Sequence, residues 1–217
     1  MFKKKKAEVE VRKIHTEVAE IPIVGTGTLI VNKFANKAIE MIKGTQTGTT
    51  DKTKKRALKV PFDDFCESLH VIPGAKLPPK KLGAWEEWPY KPDTFGFPAS
   101  GFKLGICAAA RDTELSSYLA KGGIHVIGDL VPLKYKRLIM REDMVKVGWP
   151  KKADIRYRGE FTDWSAVVQV RYDASVITRD QIANLLMTAG HYSGLGENRP
   201  SSPEKPGPHG TYKIKGA

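Results

Sequence analysis

From Trp164 to Tyr172 the chain has a period of two: Trp164, Ala166, Val168, Val170 and Tyr172 fall on one side, Ser165, Val167, Gln169 and Arg171 on the other. That alternation predicts a strand with one buried face. After it, Ile182, Leu185, Leu186 and Ala189 recur at helical spacing, behind a Thr178–Gln181 capping box and before Gly190. Upstream, Pro98 opens a run in which Phe102, Ile106, Ala109 and Ala110 share a helical face whose small residues permit close packing. Weaker periodicities predict a strand or hairpin strand over Val9–Val24 and a helix through Val31, Phe34, Ala38 and Ile42 that closes at Gly44. The stretch PFDDFCESLHV reads as a short helix, GGIHVIGDLVPL as a strand, LIMREDMVKVG as a turn with further strand, HYSGLG as a short strand and TYKIK as a closing edge strand.

The resulting order is strand, insertion, helix, strand, strand, helix, strand. It predicts an α+β fold of the ferredoxin-like or RNA-recognition-like kind: an antiparallel sheet with two core helices on one face, the other face open, and a large insertion after the first strand. Residues 1–217 form a single domain on this reading, with 31–95 an insertion holding short helices and a mobile basic loop. Within it Trp85, Trp88 and Tyr90 would pin an irregular, Pro- and Gly-rich segment. Residues 194–210, GLGENRPSSPEKPGPHG, read as a shaped loop, because glycine permits positive φ and close backbone approach while proline stiffens the path.

Charge narrows the function classes. Lys and Arg number 36 against 24 Asp and Glu, a formal charge of +12, so polyanions are the natural partners. Basic residues interleave with aromatics at Lys134, Lys136 and Arg137, at Arg156, Tyr157 and Arg158, and at Arg171 beside Tyr172. Cations neutralise phosphates and aromatic planes stack on unpaired bases, the combination that holds single strands. The same residues also fit a plain sheet whose tyrosines cover one face. Lys52, Lys54, Lys55 and Arg56 add a basic loop.

Catalytic signatures are missing from the sequence. VGTGT lacks the third glycine of a dinucleotide fingerprint, and Asp51 stands where a phosphate loop needs glycine before Lys52. The histidines show no metal-ligand spacing, the adjacent acids Asp63–Asp64 and Glu142–Asp143 diverge on a helix, and no nucleophile motif occurs. A non-enzyme without metal or cofactor is expected. Cys66 and Cys107 have no zinc-site or CxxC spacing, and the cationic start lacks an apolar segment behind it. A reducing, cytoplasmic setting away from membranes is the expectation.

Three segments together resemble the RAMP superfamily, whose RNA-recognition-like domains include the backbone subunits of CRISPR effector complexes. FGFPASGFKLGICAAAR is similar to that family's aromatic-proline helix start, through Phe97, Pro98, Ala99, Ser100, Phe102, Lys103 and Arg111. The 194–210 loop is similar to its C-terminal glycine-rich loop, through Gly194, Gly196, Arg199, Pro200, Gly207 and Gly210. PIVGTGTL matches the opening strand weakly. MREDMVKVG, DIRYRGEF, WSAVVQVRYD and GLGENRP further resemble a bacteriophage and prophage group related to those subunits, in which a tryptophan precedes the Arg-Pro pair where this chain has Asn198. The resemblance implies binding of RNA or single-stranded DNA along the sheet, with filaments or multimers forming on the strand, by a homo-oligomer or a subunit of a ribonucleoprotein complex in a bacterial host, without cleavage. It brings Lys103, Arg111 and Arg199 into the candidate set. The alternative is an interaction or structural protein that copies a backbone subunit's shape to occupy a host complex, with Trp85–Tyr90 as anchor or as the lid of a satellite core.

Overall fold

The computed structural model describes residues 11–34, 36–49, 59–77, 93–147 and 152–216. Lys52, Lys54, Lys55 and Arg56, like Trp85, Trp88 and Tyr90, lie outside the described residues. The chain is a mixed α and β protein with antiparallel sheets and, among the described residues, five α-helices. None of these helices is long and apolar enough to cross a membrane.

The strict alternation at 164–172 forms β8 (Ser165–Asp173), with Ala166, Val168, Val170 and Tyr172 all buried. On one side of β8 runs β1 (Thr16–Gly25), which carries the short β9 (Tyr212–Ile214) on its far edge. On the other side lie β4 (Ile124–Val126) and β5 (Leu130–Lys134), one after the other, and β3 (Gly96–Pro98) pairs with β5. Every pairing is antiparallel. Helices α3 (Ala99–Ala109) and α5 (Arg179–Thr188) cover one face, burying Phe102, Ile106, Ile182 and Leu186 against the core residues Ile21, Ile23, Val168 and Val170. The Thr178–Gln181 capping box that starts α5 is formed.

A second sheet is built from β2 (Leu29–Val31), β7 (Lys152–Thr162) and β6 (Arg137–Val147), in the order β2-β7-β6. Strands β6 and β7 make an eleven-register hairpin inserted between β5 and β8. Phe95, Tyr135 and Phe161 close the junction of the two sheets, with ring centroids 5.0–6.1 Å apart. Trp164 sits there too, its Nε1 donating to Gly27 O at 2.8 Å.

Several sequence expectations shift. The first strand begins at Thr16, and Val11–His15 is exposed non-strand backbone. The expected helix through Val31 is instead α1 (Asn36–Thr47), which runs past Gly44; Val31 is a buried β2 residue and Phe34 is 66% exposed. Burial of Val31 beneath the hairpin outweighs its fit to helical spacing. HYSGLG is not a strand: His191–Ser193 completes a π-helical turn, Ala189–Ser193, and Gly194–Gly196 opens the loop. Gly190 presses so closely on β9 that a Cβ would sit 2.1 Å from Tyr212 O, so the chain stays wound against β9 instead of extending. Short helices α2 (Pro61–Glu67) and α4 (Ser117–Gly122) complete the set.

Candidate nucleic-acid interface

Because the helices cover only one face, the other parity of each strand points away from them. In β8 these residues are Ser165, Val167, Gln169 and Arg171. Register then fixes rows across the sheet. Lys134 lies opposite Ser165, Ser165 opposite Val24, and Val24 opposite Lys213. The two lysines are exposed and stand three strand steps apart, about 14 Å at roughly 4.8 Å per step. Lys215 is exposed one row further, its N–H donating to Pro22 O at 2.9 Å. At the other end of β8, exposed Arg171 lies between His125 and Val18.

Between these cations runs an apolar stripe of Val18, Pro22, Val24 and Val167, of which Val18 and Val167 are 55% and 44% exposed. Its acid, Glu20, accepts from Gln169 Nε2 at 2.9 Å. Where the chain bows away from β8 between β4 and β5, a cleft of about 400 Å³ opens beside Lys134, Pro132, Val167, Gln169, Ile127 and Asp93. Lys136 and Arg137 are exposed just beyond, where the chain leaves for the second sheet; Lys136 Nζ is 3.9 Å from the exposed Asp163, a solvated pair.

Other predicted contacts have internal partners. Arg158 is 3% exposed: Nη1 donates to Asp143 Oδ2 at 3.2 Å and Nη2 lies 3.5 Å from Glu197 Oε2. Its role as a phosphate contact is therefore corrected to that of a buried ion-pair partner. Arg199 is likewise internal, with Nη1 donating to Gly196 O at 2.9 Å and Nε to Ser201 Oγ at 3.1 Å. Lys103 donates to the carbonyls of Ala120, Lys121 and Ile124 and so caps the end of α4, and desolvation holds its ammonium below the usual lysine range. Arg111 is exposed in the tight turn after α3, in the helix layer. Arg156 is half-buried opposite Asp143. Tyr157 packs on the core, Tyr135 is 9% exposed and Tyr172 is 4% exposed with its hydroxyl donating to Glu17 Oε2. Tyr135 and Tyr172 thus face inward and burial rules out stacking platforms there, while Tyr157 is half-buried against the core.

Arg158 belongs to a network that fastens the 194–210 loop to the hairpin. Arg141 donates to Asp143 Oδ1 at 3.0 Å and to Glu160 Oε2 at 3.3 Å. Thr28 Oγ1 donates to Glu160 Oε1 at 2.6 Å and lies 2.9 Å from His209 Nδ1. Asn32 Nδ2 donates to Glu197 Oε1 at 3.4 Å. Burial opposes the charge on Asp143, but Arg141 and Arg158 outweigh it and hold the carboxyl below the usual aspartate range. Burial also opposes the charge on Arg141, and its bonds to Asp143 and Glu160 again prevail.

The loop's backbone is tied down as firmly: Glu197 N–H donates to Ile30 O at 2.9 Å and Gly210 N–H to Thr28 O at 2.7 Å. Gly196 has φ +70°, and a Cβ there would lie 2.1 Å from Ile30 O. Asn198, with φ +52°, is 8% exposed, so it occupies a buried turn. Residues 194–210 form a tied-down loop in which Glu197, Arg199, Ser201 and His209 serve its anchorage.

Sequence reasoning missed Lys213 and Lys215. Their signal was present in TYKIK, where Tyr212 and Ile214 take one parity and the lysines the other. It also missed Asp143, Glu160 and Glu197, whose pairing with arginines depends on register between distant strands. No family model matches this chain, and no curated protein sequence matches it.

Proposed function

We propose that the chain is a non-catalytic single-stranded nucleic-acid-binding protein with a ferredoxin-like, RNA-recognition-like core, which holds RNA or single-stranded DNA against the helix-free face of its main sheet. The strand order β9-β1-β8 followed by β4 and β5, with α3 and α5 on one face, supports the core assignment. It also agrees with the RAMP-like segments at 97–111 and 194–210.

The observation that carries the reading is the row Lys134, Ser165, Val24, Lys213, with Arg171 and Lys215 on the same face. Lysines flank an apolar stripe, so phosphates meet ammonium groups at the surface while bases lie on valine and proline. With no Phe, Tyr or Trp on this face among the described residues and His125 its one aromatic ring, little base readout is available. Binding is then dominated by counterion release and tolerant of sequence.

Four cations on a single strand give a log–log salt slope of about −2.8, from roughly −0.7 per phosphate. Fluorescence anisotropy with labelled RNA, single-stranded DNA and duplex DNA over a salt series measures it. Lys134→Ala with Lys213→Ala reduces the slope by about 1.4, whereas Lys121→Ala, on α4, leaves it unchanged. Salt-independent binding, no binding to either single strand, or indifference to the double substitution refutes the proposal.

A further inference from the structure

The β6–β7 hairpin ends its sheet on a long open edge. Among the described residues β6 has β7 on one side and no strand on the other, over eleven residues. Such an edge presents a row of unpaired N–H and C=O groups that templates strand addition. Its surface is not uniformly charged. On the face that carries Met144, Glu142 and Lys146 flank this methionine, and none of the three is covered: Met144 is 71% exposed, and Ile155, opposite it on β7, is 42% exposed. Neither Glu142 nor Lys146 makes an ion pair among the described residues.

We infer that β6 is a dimerisation edge whose occupant is the β6 strand of a second copy of this chain, antiparallel to the first about a two-fold axis through Met144. The pattern Glu142, Met144, Lys146 reads as its own complement in that register. Glu142 faces the second copy's Lys146, Met144 faces its own equivalent, and Lys146 faces the second Glu142. Ile155, Met144 and their equivalents then form one apolar stripe across four strands, with an opposite-charge pair on either side. Cross-strand pairs of these kinds are the unit of sheet stabilisation.

Neighbouring registers are worse. A two-fold normal to the sheet keeps each face on its own side, so shifting the axis to Glu142 sets that carboxylate against itself, and shifting it to Asp143 does the same for Asp143. The register through Met144 alone pairs the two charges of the exposed face. The arrangement is isologous and closes at two copies, because the edge that makes the contact is consumed by it.

Cysteine cross-linking reads the register directly. Directly opposite residues of an antiparallel pair have Cα atoms about 4.5–5.5 Å apart, within disulfide reach. Nuclease-treated Met144→Cys protein gives a disulfide-linked dimer under mild oxidation, whereas Glu142→Cys, four residues from its own equivalent, does not exceed the wild-type background from Cys66 and Cys107. In sedimentation equilibrium, the wild-type chain approaches twice its 24.1 kDa mass. Glu142→Lys or Lys146→Glu alone weakens this self-association about tenfold, and the double reversal restores it to within about twofold. Failure of Met144→Cys to cross-link, a monomer at hundreds of micromolar, or single reversals without effect on the mass overturns the inference. Because no nucleic acid is present, the outcome is independent of strand binding.

Discussion

Replacing Asp143 by asparagine tests whether the charged network holds the glycine-rich loop in place. Asp143 is 7% exposed and accepts from Arg141 Nε at 3.0 Å and from Arg158 Nη1 at 3.2 Å. Without its charge, the buried Arg158 guanidinium keeps only Glu197, 3.5 Å away and with its side chain 39% exposed. Removing one partner of a buried ion pair costs about 3–5 kcal/mol, since the other charge stays desolvated and uncompensated. Glu197 remains as a partner for Arg158 and Glu160 for Arg141, so the lower end applies, about 3 kcal/mol. For a chain of this size that is a fall in Tm of roughly 6–12 °C. Urea unfolding followed by circular dichroism measures it.

The pH dependence gives the test a sign. Asp143 has a folded-state pKa below its unfolded value, so its ionisation stabilises the fold fully above the ordinary aspartate value of about 3.9. That contribution is lost as pH falls through the lower folded value. The gap between wild type and Asp143→Asn is therefore full near neutrality and narrows below about pH 4. A second variant separates charge from packing: Asp143→Leu with Arg158→Met removes both charges together and is less destabilised than Asp143→Asn. A loss under about 1 kcal/mol at neutral pH would place the pair among weak surface contacts and refute the reasoning. So would a gap that stays constant into acid.

Three other substitutions have defined costs. Gly196→Ala forces a Cβ to 2.1 Å from Ile30 O at φ +70°, so a loss of at least about 2 kcal/mol in urea unfolding is expected, and near-wild-type stability would show that the loop can move aside. Lys103→Met strips the carbonyls of Ala120 and Lys121 of a charged donor at 2.7 and 2.9 Å; about 2 kcal/mol of stability goes, and hydrogen exchange quickens in α4 ahead of β8. Trp164→Phe loses the 2.8 Å bond to Gly27 O and leaves space beside Gly25, lowering stability by about 2 kcal/mol by circular dichroism, with a loss of a few tenths arguing against both terms.

The elements legible in the sequence were those whose burial is decided locally. β8 alternates strictly because α3 and α5 cover one of its faces throughout, and α5 declares itself through its capping box and the spacing of Ile182, Leu185 and Leu186. The hairpin was harder to read. On β6, Leu138 is buried but Met144, of the same parity, is 71% exposed, because only the base of the hairpin is covered. Asp143 is buried on the opposite parity, so neither face of the strand carries a clean apolar pattern. The candidate site divided along the same line. Exposed Lys134 and Arg171 were visible from alternation alone, whereas the burial of Arg158 depends on Asp143, fifteen residues away in sequence, and on Glu197 from the loop. Such pairing is a property of register and loop closure, which no single stretch of sequence encodes.

The arginines of the loop network and the lysines of the open sheet face suit their places for different physical reasons. Arg141, Arg158 and Arg199 use planar guanidinium groups with several fixed donors, and each satisfies two internal acceptors: Asp143 and Glu160, Asp143 and Glu197, Gly196 and Ser201. That geometry suits buried pairing, where direction matters and hydration is lost. Lys134, Lys213 and Lys215 are exposed on the sheet, where a strongly hydrated point charge on a flexible stem attracts phosphate from any direction. Lysines in place of Arg141 and Arg158 would match these buried pairs poorly. As built, the fold fixes its loop with directional groups, while the open face carries the point charges of Lys134, Lys213 and Lys215 together with the guanidinium of Arg171. Under the proposed function, affinity for a strand on this face follows phosphate count and ionic strength, and changing the base sequence at constant length alters it far less than doubling the salt.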